Sequence, residues 1–76
     1  MLEWLDRMQE RLGAETVSLS PAEIEALLEL ARAASHESGE RTNAPLATYL
    51  VGVARGRDPD ADLQELVAAA LGRQQL

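Results

Sequence analysis

The chain has no cysteine, no phenylalanine and no lysine, and a single histidine among 76 residues. The absence of cysteine excludes a disulfide staple, a thiolate nucleophile, Cys-ligated zinc and iron–sulfur clusters. It also fits a reducing compartment, and we expect a cytoplasmic protein. All seven basic residues are arginines, set against 13 carboxylates, for a net charge of −6. Arginine without lysine is first a mark of codon bias. The negative balance argues against nucleic-acid binding, which needs a basic face to displace counterions. No apolar run approaches the roughly 18 residues of a membrane span. The start, MLEWLDRMQE, carries acidic residues early and lacks the apolar core of a signal peptide. Neither a membrane nor a nucleic acid is therefore expected as a partner.

Aliphatic residues are abundant: 13 Leu, 4 Val and 1 Ile, joined by 2 Met, 1 Trp and 1 Tyr. The length implies one domain over residues 1–76, near the lower limit for a core that holds a fold alone. Four segments have helical spacing. In the first, Leu2 to Leu12, the residues Leu2, Leu5, Met8 and Leu12 form a stripe beside Trp4, and Gly13 is the expected terminator. Residues 14–19 connect it to the second. There Ser20-Pro21-Ala22-Glu23 reads as a capping box with proline at the first helical position, and Leu19 and Ile24 have the spacing of a hydrophobic staple. The stripe of the second helix is read as Ile24, Leu27, Leu28, Ala31 and Ala34, with Leu30 on its flank. Glu25 or Glu29 can pair with Arg32, and the helix should fade between Ser35 and Gly39.

The third segment, Arg41 to Gly56 (RTNAPLATYLVGVARG), is the most informative. Its helix should begin near Pro45, capped by Ala44 or Asn43, and end at Gly56. From Leu46 to Ala54 the only polar side chains are Thr48 and the Tyr49 hydroxyl. A helix apolar on most sides is normally buried. Gly52 lies inside it at a cost of about 1 kcal/mol relative to alanine, which suggests a neighbour packed closely there. The fourth helix is expected from the Asp58 cap and Pro59, with Leu63, Leu66, Val67, Ala70 and Leu71 as its stripe. Gly72 and the tail 73–76 should fray. The expected architecture is all-α: a compact four-helix bundle in which the first, second and fourth helices surround a central apolar third helix.

Chemistry-bearing motifs are sparse. Asp58-Pro59-Asp60-Ala61-Asp62 resembles half a calcium loop, but Leu63 stands where glycine is needed and Ala69 where glutamate is needed. We expect no metal, no cofactor and no catalytic residues. His36 ends the second helix, where a cation suits the dipole. With Arg41, Thr42 and Asn43, just before the third helix, it could hold an anion such as phosphate. No glycine-rich loop supports a nucleotide. Trp4, Tyr49 and Val53 are the residues most suited to an apolar interface, with a partner or with a second copy in a homodimer.

The run EALLELARAASHESGERTNAPLATYLVGVARG, residues 25–56, resembles a small bacterial helical domain of unknown function. That domain pairs an ALL-LAR-type helix ending near Ala-His with an Ala-Pro-Leu-x-Thr-aromatic-Leu-Val-Gly segment. The matching positions are Leu27, Leu28, Leu30, Ala31, Arg32, His36, Ala44, Pro45, Leu46, Thr48, Tyr49, Leu50, Val51 and Gly52, and Trp4 fits the first helix. Such domains lie near, or are fused to, molybdopterin-guanine dinucleotide biosynthesis proteins of the guanylyltransferase type. The resemblance therefore implies a non-catalytic accessory or protein-interaction role in molybdenum cofactor maturation. The implied partner is the guanylyltransferase or a molybdoenzyme. The chain lacks the glycine-rich start of the guanylyltransferase itself. The alternatives are a small anion-binding protein using the loop before the third helix, or a self-associating structural domain.

Overall fold

Side-chain caps set the starts of two helices, at Ser20 and Asp62. In the computed structural model, which describes residues 2–13 and 19–73, α1 spans Leu2–Leu12, α2 Pro21–Ser38, α3 Asn43–Arg57 and α4 Leu63–Ala70. The chain is an all-α four-helix bundle. The connection at 14–18, the tail at 74–76 and the side chain of Leu2 lie outside the described residues.

The capping box of α2 forms as its sequence requires. Ser20 Oγ accepts from the Glu23 amide at 3.2 Å, and Glu23 Oε1 accepts from the Ser20 amide at 2.8 Å. The other end closes on Gly39 in the left-handed region at φ 76°, whose amide donates to the Ser35 carbonyl at 3.0 Å. Ser38 Oγ also donates to the Ala34 carbonyl.

Two starts differ from the sequence reading. Helix α3 begins at Asn43 with Thr42 in the cap position, two residues before Pro45. Pro45 then occupies the third helical position. It is still in the first turn, where a missing N–H breaks no intrahelical bond. Helix α4 begins at Leu63, capped by Asp62, whose carboxylate accepts from the Gln64 amide at 2.8 Å. Asp58 and Pro59 instead form a turn closed by Ala61 N–H to the Asp58 carbonyl at 3.0 Å. Asp and Pro are also the favoured first and second residues of a β-turn, so the same dipeptide served either reading. Asp62, four residues on, supplied the better-placed cap.

The core is built by α2, α3 and α4. Leu30, Val51, Leu63 and Val67 are its buried cluster, with Ala26, Leu27, Ala47, Leu66 and Leu71 packed around them. Ala33 is buried beside Leu30 on α2. The buried face of α2 thus centres on Leu30, and Leu28 is exposed. Apolar residues run around more than half of α2, so spacing alone does not choose a face. Its two neighbours do. Helix α3 packs against both α2 and α4, but through one stripe carrying Val51, and it is not enclosed on every side. No Cα of α1 comes within 8 Å of a Cα in another helix among the described residues. Instead of completing a wrap around α3, α1 stands off from the other three.

Ion pairs tie the core helices together. Arg55 of α3 donates to Glu23 of α2 at 2.9 Å, so the capping-box carboxylate serves two roles. Its pKa is lowered, first by the Ser20 amide and then by the Arg55 guanidinium. Beyond α4, Arg73 reaches Glu29 at 3.3 Å and Glu37 at 3.0 Å, and Arg32 meets the other oxygen of Glu29 at 2.8 Å. These arginines hold the Glu29 carboxyl below its ordinary range, Arg32 contributing most. Residue Arg73, expected to fray, anchors the end of α4 to α2.

Candidate functional site

The polar residues singled out in the sequence lie at the end of α2 and in the turn and first residue leading into α3. His36, Arg41 and Thr42 are exposed and Asn43 is half-buried. Among the described residues no hydrogen bond or ion pair joins any two of these side chains. The amides at the start of α3 are also committed. Asn43 N–H donates to the Glu40 carbonyl and Ala44 N–H to the Arg41 carbonyl, both at 3.1 Å, and Pro45 has no N–H. The turn that leads into α3 thus engages two of the amides that an anion at this helix start would use. Among the described residues there is no group of three or more His, Asp or Glu side chains placed to hold a metal ion.

The apolar residues singled out in the sequence lie on the surface. Trp4 of α1 is 61% exposed and Tyr49 of α3 is 70% exposed, and Val53 is exposed beside it. Leu46 and Leu50 belong with them, at 61% and 67%. Leu46, Tyr49, Leu50 and Val53 recur at intervals of three, one and three residues. At 3.6 residues per turn they form one continuous face of α3, opposite the buried Val51. The apolar character of α3 that marked it for burial is therefore split between two opposite faces, one in the core and one in solvent. Exposed apolar patches of this kind mark interaction surfaces.

Two grooves flank that face. The first, about 700 Å³, lies between α2, α3 and α4, with Asn43, Ala47, Leu50 and Ala54 of α3 along one wall. The second, about 560 Å³, separates α1 from the core. Leu5, Met8 and Leu12 line its α1 wall. Leu27 of α2 with Thr48, Gly52 and Gly56 of α3 line the other, and the Glu23–Arg55 pair sits within it. Gln9 accepts from the Leu19 amide at 3.0 Å, which ties α1 to the entrance of α2. Thr48 satisfies its own hydroxyl by donating to the Pro45 carbonyl at 2.9 Å, so the wall presents little unpaired polarity.

Gly52 and Gly56 are the unusual part of this groove. A methyl group built on either would meet no atom within 4 Å outside its own helix backbone. The close neighbour expected at Gly52 is not supplied by this chain among the described residues. Spaced four apart on one helix face, two glycines let a second helix approach the backbone closely. Sequence reasoning found Gly52 and missed its pairing with Gly56, which had been assigned to helix termination; α3 continues past it to Arg57.

Fold and surface together define a small all-α domain whose most distinctive features are open apolar faces. The chain belongs to the family described as a domain of unknown function, DUF6457, whose profile matches residues 1–75. Comparison with curated proteins and with solved structures returned no match. No helix among the described residues is long and apolar enough to cross a membrane.

Proposed function

We propose that this is a non-catalytic interaction domain that receives an apolar helix of a partner protein in the groove between α1 and α2–α3. The observation that carries this reading is the Gly52–Gly56 pair, open to a close approach in a groove lined by leucines and Met8 beside the Glu23–Arg55 ion pair. Glycine inside a helix costs about 1 kcal/mol relative to alanine. Among the described residues no close neighbour offsets that cost at Gly52. A partner helix crossing there would. The standing-off of α1 supports the same reading, because its apolar stripe then becomes the second wall of the partner's seat.

The partner is proposed from the family resemblance: the molybdenum cofactor guanylyltransferase, or a molybdoenzyme that receives the finished cofactor, in the cytoplasm. The domain would hold that protein without itself touching the reaction. Sedimentation velocity of the chain mixed with the guanylyltransferase of its own organism, at tens of micromolar and low salt, tests this. A faster mixed species that disappears with Gly52→Leu is the expected result. No complex with either protein would overturn the molybdenum assignment, and a complex indifferent to Gly52→Leu would overturn the groove. Helical circular dichroism of the variant separates lost binding from lost folding.

A further inference from the structure

We infer that the outer face of α3 is a self-association surface, on which two copies of this chain pair through antiparallel α3 helices. The inference concerns a different face from the α1 groove and does not depend on it. Its first support is the stripe itself. Leu46, Tyr49, Leu50 and Val53 are all exposed, contiguous and opposite the core, on a domain with five buried hydrophobic residues among those described. Small domains commonly complete a limited core by oligomerisation.

Charge selects the occupant. The chain carries a net charge of −6, so two copies repel wherever carboxylates face each other. Helices α1, α2 and α4 all bear carboxylates. Helix α3, NAPLATYLVGVARGR, bears none. The stripe on α3 is thus the helical face where two copies meet with the least repulsion. A strongly basic partner would find no complementary charge on it.

The pattern is also self-complementary. A two-fold axis between Tyr49 and Leu50 places Leu46 of one copy against Val53 of the other, and Tyr49 against Leu50. Leu50 also lines the 700 Å³ groove, which gives the Tyr49 ring of the second copy a recess to enter. The same axis brings Arg57, at the end of one α3, to the start of the other, where Glu40 precedes the helix. Among the described residues neither Arg57 nor Glu40 has an ion-pair partner within the chain. Opposed helix dipoles favour the antiparallel arrangement as well. A parallel pair would set Arg57 against Arg57.

Sedimentation equilibrium of the chain alone, from micromolar to near-millimolar concentration, reads the result directly. The expected outcome is a mass that rises from one chain to two, and a Leu50→Glu variant that stays at one chain with unchanged helical circular dichroism. Register is tested by charge reversal. Arg57→Glu should weaken the dimer several-fold, and adding Glu40→Arg should restore it. A wild-type chain that is monomeric throughout would overturn the proposal. So would a dimer that survives Leu50→Glu, and a dimer weakened by Arg57→Glu but not rescued would overturn the antiparallel register. Binding of the guanylyltransferase by the monomeric Leu50→Glu variant would leave the groove assignment standing whichever way this test falls.

Discussion

Leu30 and Leu50 occupy the middles of two neighbouring helices of similar length, and their fates are opposite. Leu30 is 1% exposed and Leu50 is 67% exposed. Nothing in residue type or helix propensity separates them. The difference lies in the helices around them. Leu30 faces α3 and α4 together, whereas Leu50 lies on a face of α3 that no other helix covers among the described residues. Burial in so small a bundle is decided by which helix has neighbours on two sides. Apolar content decides only how much surface is left over for a partner.

Substitution can sharpen that contrast. Leu30→Ala should cost about 2–5 kcal/mol, because it opens a cavity at the centre of the cluster. A domain of this size has a total stability of roughly 4–11 kcal/mol at ~0.05–0.15 kcal/mol per residue, so partial unfolding at room temperature is within reach. Urea denaturation followed by circular dichroism reads it. Leu50→Ala, measured at micromolar concentration, should fall within about 0.5 kcal/mol of the parent. Comparable losses at the two positions would break the comparison.

A smaller effect is expected at the start of α2. Ser20→Ala removes the cap bond to the Glu23 amide and should cost about 1 kcal/mol, or about 4–8 °C in Tm. The capping box also carries a pH signature. The Glu23 carboxyl lies below its ordinary value of 4.5 in the folded chain. A depressed carboxylate contributes stability that is fully present above the unfolded pKa and is lost as pH falls through the folded one. Stability should therefore decline on acidification below about pH 4.5, and Glu23→Gln should flatten that decline. An equal decline in both chains would remove Glu23 as a contributor.

A change of opposite sign is expected at Gly52. Gly52→Ala should stabilise the isolated chain by about 0.4–1 kcal/mol, since the position is helical and open. A net loss would mean that the glycine is already packed closely within the chain.

Local signals carried most of the fold. The capping box at Ser20 acts through residues adjacent in sequence, so its chemistry is legible there, whereas the α4 cap was expected at Asp58 and is Asp62. What sequence could not assign was orientation. Helix α2 is apolar around much of its circumference, so the reading put Leu28 in the stripe and Leu30 on its flank, whereas α3 and α4 bury Leu30 and leave Leu28 exposed. Helix α3 looked like a central helix because two apolar faces, one buried and one exposed, read as a single continuous surface. The Glu23–Arg55 and Arg73–Glu29–Glu37 pairs join residues more than 30 positions apart, and no local pattern announces them. Among candidate site residues, the apolar set Trp4, Tyr49 and Val53 is on the surface where an interface needs it. The polar set, His36, Arg41, Thr42 and Asn43, shares no hydrogen bond among the described residues, and the turn before α3 engages the Asn43 and Ala44 amides.

Binding at the α1 groove is the most direct test of the central claim. Titration of the guanylyltransferase into the wild-type chain and into Gly52→Leu, followed by sedimentation velocity, compares an open seat with a filled one in the same fold. The account predicts a complex with the wild-type chain that the added leucine abolishes while helicity is retained. Equal binding by both chains, or binding by neither, would contradict it.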